Sequence, residues 1–226
     1  MPTIESSTRN ETSLLQNRLY INQFIRFIFD VPPEKQSLLA VTNNPHWRSL
    51  CEFSEAFRMI DKSIQGLHID DGEKIIQLNE EYNRLFIGPN TLPAPLWESV
   101  YLSREHLLFD AVTLEVRNCY RKYGLSFIRE SNEPDDHIVI ELEFLSYLIQ
   151  KTLESDNVAS KQKLLEDQYS FLTNHLLKWC PIFCEILSKS TSFDLYKGAA
   201  LLLAEYLHFE NEFIPALKEG ILVNER

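Results

Sequence analysis

Apolar positions recur at helical spacing along most of the chain. Between Glu11 and Phe29, Leu14, Ile21, Ile25 and Ile28 fall near one face and predict an amphipathic helix. Residues 1–10 are expected to be disordered. Pro32-Pro33 ends the first helix, and a short one is expected over 34–41. Asn44 is placed to cap a third helix with Pro45 at its first position. Trp47, Leu50, Phe53, Phe57 and Ile60 form its apolar side and Gly66 closes it. Asp70-Asp71-Gly72 opens a fourth, continued by Ile75, Leu78, Tyr82, Leu85 and Phe86. Helical spacing returns after Ser103, read as an N-cap, and runs to Tyr123, where Gly124 stops it. Further helices are expected over 161–179, broken by Pro181, then over 182–188 and 193–209, with a short tail from Asn211 interrupted by Pro215.

Two stretches depart from this pattern. Residues 87–101, Ile-Gly-Pro-Asn-Thr-Leu-Pro-Ala-Pro-Leu-Trp-Glu-Ser-Val-Tyr, hold three prolines and a glycine. A loop of this length inside a helical domain is unusual and is often functional. Its prolines predict a shaped loop rather than a slack linker. It carries Trp97 and Tyr101, rings of the kind found at binding surfaces; equally, Trp97 can be a plug of the core.

The second stretch is Glu133-Pro134-Asp135-Asp136-His137 leading into Ile138, Val139, Ile140, Leu142, Phe144, Leu145 and Leu148. Asn132 is placed as N-cap, Pro134 in the first turn, and Asp135 and Asp136 where the helix dipole favours negative charge. The helix that follows, ending near Thr152, is apolar on nearly every side and therefore central. His137 and Glu141 lie one turn apart on one face, so Glu141 is expected to hold the imidazole by a hydrogen bond or ion pair. Buried groups of this kind are paired or used: the pattern fits an internally satisfied cap as well as a recognition site.

Composition narrows the classes. Glycine is scarce, at 6 residues, and helix formers are common, which leans all-α. No strand pattern of convincing length, repeat or low-complexity segment breaks in. The net charge of −11 disfavours nucleic acid and favours a basic ligand such as an arginine-bearing peptide. The polar start of the chain shows no secretory pattern, and the leucine-rich run 199–207, broken by Glu205, is too short to span a bilayer. A cytoplasmic protein without stable membrane insertion is expected. Cys51, Cys119, Cys180 and Cys184 lack zinc-site spacing and are expected to be reduced, buried thiols. No phosphate-binding glycine loop, HExxH or GxSxG is present. Asp136-His137 could belong to a metal-dependent hydrolase, but His46, His68, His106, His175 and His208 complete no recognisable ligand set.

Together the two stretches resemble the TorD/DmsD family of redox-enzyme maturation chaperones, within the NarJ superfamily. The residues that carry the likeness are Tyr82-Asn83-Arg84-Leu85-Phe86-Ile87-Gly88-Pro89, Pro93-Ala94-Pro95-Leu96-Trp97-Glu98-Ser99-Val100-Tyr101, Glu133-Pro134-Asp135-Asp136-His137 and Glu141-Leu142-Glu143-Phe144. Weaker likeness runs through His175-Leu176-Leu177-Lys178-Trp179 to the closing helices. Leu96 stands where relatives often carry a further proline, and the first 70 residues match only in general character.

The resemblance implies a single all-α bundle of about ten helices in two packed halves, spanning residues 11–226, without catalytic chemistry or a cofactor of its own. It implies a partner: the twin-arginine signal peptide, and in some members the body, of a molybdopterin-dependent oxidoreductase of the DMSO/TMAO reductase type, bound as the apo form before export. It also implies a monomer, with a domain-swapped dimer as the other form. The expected peptide surface comprises Gly88, Pro89, Trp97, Glu98, Ser99, Tyr101, Glu133, Pro134, Asp135, Asp136, His137 and Glu141. Carboxylates such as Asp135, Asp136 and Glu98 are expected to meet the arginines, and Trp97, Tyr101 and neighbouring leucines the apolar part of the signal. A helical adaptor for a folded partner is the main alternative; a hydrolase using His137 is the lesser one.

Overall fold

In the computed structural model, described over residues 4–67, 72–103, 111–126 and 134–223, the apolar spacing becomes an all-helical fold. Its helices are α1 (Ile4–Asp30), α2 (Lys35–Val41), α3 (Trp47–Phe53), α4 (Glu55–Gly66), α5 (Glu73–Tyr82), α6 (Glu98–Leu102), α7 (Ala111–Arg121), α8 (Ile138–Glu154), α9 (Val158–Phe171), α10 (Leu177–Ser190) and α11 (Asp194–Val223). Two π-helical turns, Asn83–Ile87 and Leu172–Leu176, extend α5 and join α9 to α10. Among the described residues no helix is long and apolar enough to cross a membrane.

α8 carries the apolar run that marked it as central, and eleven of its residues are buried. It lies against α1 and α9, while α11 lies against α4 and α10. Buried residues from Leu15 in α1 to Ile221 in α11 form one cluster. Polar ties cross it. Arg18 of α1 donates from Nε to Glu210 of α11 at 2.7 Å and from Nη2 to Gln168 of α9 at 2.8 Å. Gln168 in turn donates to Thr152 of α8 at 2.8 Å. Asn22, Ser146 and Tyr206 form a second tie between α1, α8 and α11. Close approach of α11 to α4 needs Gly198, where a Cβ would lie 2.8 Å from the Ile60 side chain and 3.0 Å from the Ala56 carbonyl oxygen.

Several boundaries differ from expectation. The helix expected over 11–29 ends at Asp30, as α1. Asn44 does not cap a helix: its side chain accepts from the His46 N–H at 2.8 Å in a local turn. The third helix is split, because Ser54 leaves helical geometry and caps α4 by accepting from the Phe57 N–H. Ser103 closes α6, and the helix start expected after it, over 104–110, lies outside the described residues. Pro181 and Pro215 lie inside α10 and α11 and end neither. Around Pro181, Trp179, Cys180, Phe183, Cys184 and Leu187 are all buried, and their packing outweighs the proline penalty. Asp70, Asp71 and Asn132 lie outside the described residues.

Candidate functional site

The two unusual stretches meet. The Leu96 carbonyl accepts from the Ile138 N–H at 2.9 Å, and the Asp136 carbonyl accepts from the Glu98 N–H at 3.0 Å. Trp97 and His137 thereby form an antiparallel bridge, with their rings edge to face at 5.3 Å. The proline-rich loop is shaped, as its composition predicts. Gly88 turns it with φ +103°, a left-handed value that disfavours a side chain, and its N–H donates to Asn83. Ala94 and Leu96 are buried. The loop is also shorter than expected, because Glu98 to Leu102 are helical as α6.

The central helix starts at Ile138 and not at Pro134. Its cap is His137, whose Nδ1 accepts from the Val139 N–H at 3.2 Å. That bond needs an unprotonated Nδ1. Burial lowers the imidazole pKa to about 4, against a smaller opposing pull from Asp136, so the neutral ring is the resting form. The expected His137–Glu141 pair is therefore absent. Glu141 is wholly buried, takes a long hydrogen bond of 3.4 Å from the Trp179 indole, and leaves its other oxygen without a partner. Burial, then the charges of Glu98 and Asp136, push its pKa well above the ordinary carboxylate value.

The carboxylates expected to meet arginines are committed within the protein. Asp135 is buried and paired with Arg117 at 2.6 Å, and its carbonyl accepts from the Tyr120 hydroxyl at 2.9 Å. Asp136, 0% exposed, accepts from the Ser99 N–H at 2.8 Å and the Thr113 hydroxyl at 2.7 Å, so it serves as the cap of α6. Glu98 is buried against His175, 3.0 Å away. Burial opposes the charged His175, but hydrogen bonds to Cys119 and Glu98 and the Glu98 charge outweigh it and hold the imidazole at about 9. Burial raises Glu98, and His175 offsets part of that.

Cys119, His175 and Glu98 fall in a row, with Sγ 3.8 Å from Nε2. The order is that of a nucleophile, base and orienting acid. Cys119, however, sits within α7, whose backbone N–H groups are engaged in the helix and supply no oxyanion donor. Among the described residues no cluster could hold a metal ion.

Other expected site residues fall as follows. Tyr101 is half-buried, stacks on Trp179 at 5.3 Å and donates to the Pro95 carbonyl at 2.8 Å. Ser99 and Pro134 are buried, Gly88 is half-buried and Pro89 is exposed at the loop entry. Glu133 lies outside the described residues. Trp97 and His137 are likewise half-buried, at the junction itself. Sequence reasoning missed Thr113, Arg117 and Tyr120, the α7 side chains beneath the junction. Their apolar-polar spacing on a helix carries no sign of a distant partner. His175 and Trp179 had a signal, four apart in the weakly matching His175–Trp179 stretch.

The chain is similar to known proteins. The model of the family described as "Nitrate reductase delta subunit" matches residues 49–185, more than half of the chain. A Haemophilus influenzae protein named "Probable Tat proofreading chaperone DmsD" is 34% identical over 172 residues, covering 75% of this chain and 76% of that one. The chain belongs to the TorD/DmsD family of redox-enzyme maturation chaperones. An Aliivibrio salmonicida "Chaperone protein TorD" is 29% identical over 62% of this chain and 65% of its own length. A crystal structure of an Archaeoglobus fulgidus protein aligns with a TM-score of 0.49 at 23% identity, covering 84% of this chain and 93% of that one. The matched span, residues 49–185, contains both unusual stretches of this TorD/DmsD member.

Proposed function

We propose that this chain is a cytoplasmic chaperone that binds the twin-arginine signal peptide of a redox enzyme and holds back export until the enzyme has its cofactor and has folded. Its client is a molybdopterin-dependent oxidoreductase of the DMSO/TMAO reductase type. The observation that carries the reading is the junction itself. Two motif segments far apart in sequence are clamped together by backbone hydrogen bonds, with Trp97 and His137 partly buried at the point of contact. The reading is also supported by relatives whose names describe Tat proofreading.

The division of labour differs from a simple carboxylate–arginine match. Asp135, Asp136, Glu98, Ser99, Tyr101 and Glu141 act beneath the surface as positioning residues. Trp97 offers the indole, the best aromatic partner for a guanidinium. His137 offers Nε2, which is a donor when Nδ1 is the acceptor. The outer carboxylates of a −11 chain supply the attracting field. Export of the client in cells lacking this gene tests the proposal. Wild-type protein should restore client activity, Trp97→Ala should restore little, and both should accumulate as folded protein. Full restoration by Trp97→Ala combined with His137→Ala would remove the junction from client recognition.

A further inference from the structure

Away from the junction, α1, α3 and α11 leave an open groove of about 600 Å³. Its floor is Ile21, Leu50, Phe57, Leu202 and Tyr206. Two aromatic rings stand at its mouth, Phe53 at 88% exposure and Phe209 at 46%. Single exposed apolar side chains are ordinary, but two rings flanking an apolar cleft are the form of a binding surface. Phe53 is held there by the backbone. It ends α3 immediately before Ser54, whose hydroxyl accepts from the Phe57 N–H at 3.3 Å and donates to Glu205 of α11 at 2.9 Å. The corner is thus tied across the groove to α11.

Charge narrows the occupant. Among the described residues no lysine or arginine lines the groove, and Glu205 stands on its rim. One Glu205 oxygen takes the Ser54 hydroxyl, and a carboxylate has capacity for a further donor. The surface suits an apolar segment flanked by a cation. Near the junction, by contrast, the side chains expected to receive such a segment are engaged: Tyr101 stacks on Trp179, and Leu96 and Leu142 are buried.

We propose that this groove seats the apolar run that follows the arginine pair of the client signal peptide, as a helix in a groove, with Glu205 meeting a basic side chain beside that run. The proposal rests on the signal-peptide reading above and assigns the peptide's apolar part to a different face from Trp97 and Tyr101.

The probe is a synthetic peptide with an arginine pair and an apolar run of about 7–15 residues, beside a shorter peptide holding the arginine pair alone. Both are titrated into the full-length chain and into a Phe53→Ser, Phe209→Ser double variant. Because both rings are exposed, the variant should melt as the wild type does. The long peptide should lose about tenfold or more in affinity, a hot-spot effect, while the short peptide is unaffected. A benzophenone placed in the apolar run should label α1, α3 or α11. Equal affinity of the variant for the long peptide overturns the groove and leaves the function standing. Labelling at Phe144 or Tyr147, which line a smaller cleft between α7 and α8, also overturns it. So does a wild-type dimer that the double variant loses without change in peptide affinity, since the groove would then belong to a second copy. If the wild type binds neither peptide, the function and the groove fail together.

Discussion

His137 caps α8 through an unprotonated ring nitrogen, so the cap lasts only while the imidazole is neutral. Its folded pKa of about 4 lies below the ordinary 6.5. The folded protein therefore binds fewer protons than the unfolded chain between those values, and this contribution to stability is full above pH 6.5 and falls as pH drops toward 4. His137→Asn, with an oxygen to accept from Val139, should flatten that acid limb in melts from pH 7 to 4. An unchanged slope would contradict the cap. Glu141 has the opposite sign. Its raised pKa means that its contribution declines as pH rises above the ordinary carboxylate value. Glu141→Gln, the neutral isostere, should equal or exceed wild-type stability at pH 8; a melting temperature several degrees lower would show that the charge is needed. Trp97→Ala should weaken peptide binding by about 1–3 kcal/mol, read by peptide titration, and thermal melts should show a stability loss as well, since a half-buried indole and its edge-to-face contact with His137 both go. Residue identities at the junction were legible in the sequence, but their roles were not. Asp135, Asp136 and Glu98 read as carboxylates for a ligand's arginines because their partners within the protein, Arg117, Thr113 and His175, come from other helices and leave no local pattern.

Elements were legible where one face decides them and illegible where tertiary packing overrides a local signal. The apolar run of α8 marked it as central and the run is buried. Pro181 and Pro215 pointed to helix ends, yet packing carries α10 and α11 through them. Asn44 and Ser54 are both good caps by type; Ser54 alone does the capping, and its tie to Glu205 of α11 is invisible locally. The start of α8 moved from Pro134 to Ile138 because residues 135–137 serve α6 and the loop instead. Asp136 is the cap that α6 takes from another segment. Asp136→Ala should therefore destabilise the fold by more than an exposed cap does, about 2 kcal/mol or above, and Asp136→Asn by less; equal melts for Ala and wild type would contradict it. Gly198 sets the α4–α11 approach. Gly198→Ala should cost about 1–3 kcal/mol through overpacking against Ile60 and the Ala56 carbonyl, read by chemical denaturation. A neutral substitution would mean that the two helices separate easily.

The whole molecule is held by apolar packing with a few buried polar ties, and by its charge it is suited to a basic partner. Glu210→Ala leaves Arg18 buried without its carboxylate and should destabilise by about 3–5 kcal/mol. The net charge was fully legible in the sequence; the groove between α1, α3 and α11 was not, because it exists only once three distant segments pack. Screening gives the charge a measurable consequence: affinity for a twin-arginine peptide should fall from low to moderate ionic strength. Flat affinity would mean that the acidic surface does not read the arginines. Twin-arginine recognition is read out by calorimetric titration of the wild-type chain with one signal peptide and its twin-lysine counterpart. Saturable binding of the twin-arginine peptide, weaker by about tenfold with lysines because a guanidinium stacks and forks where an ammonium does not, is the expected result. Equal binding of the two peptides, or of neither, would contradict it.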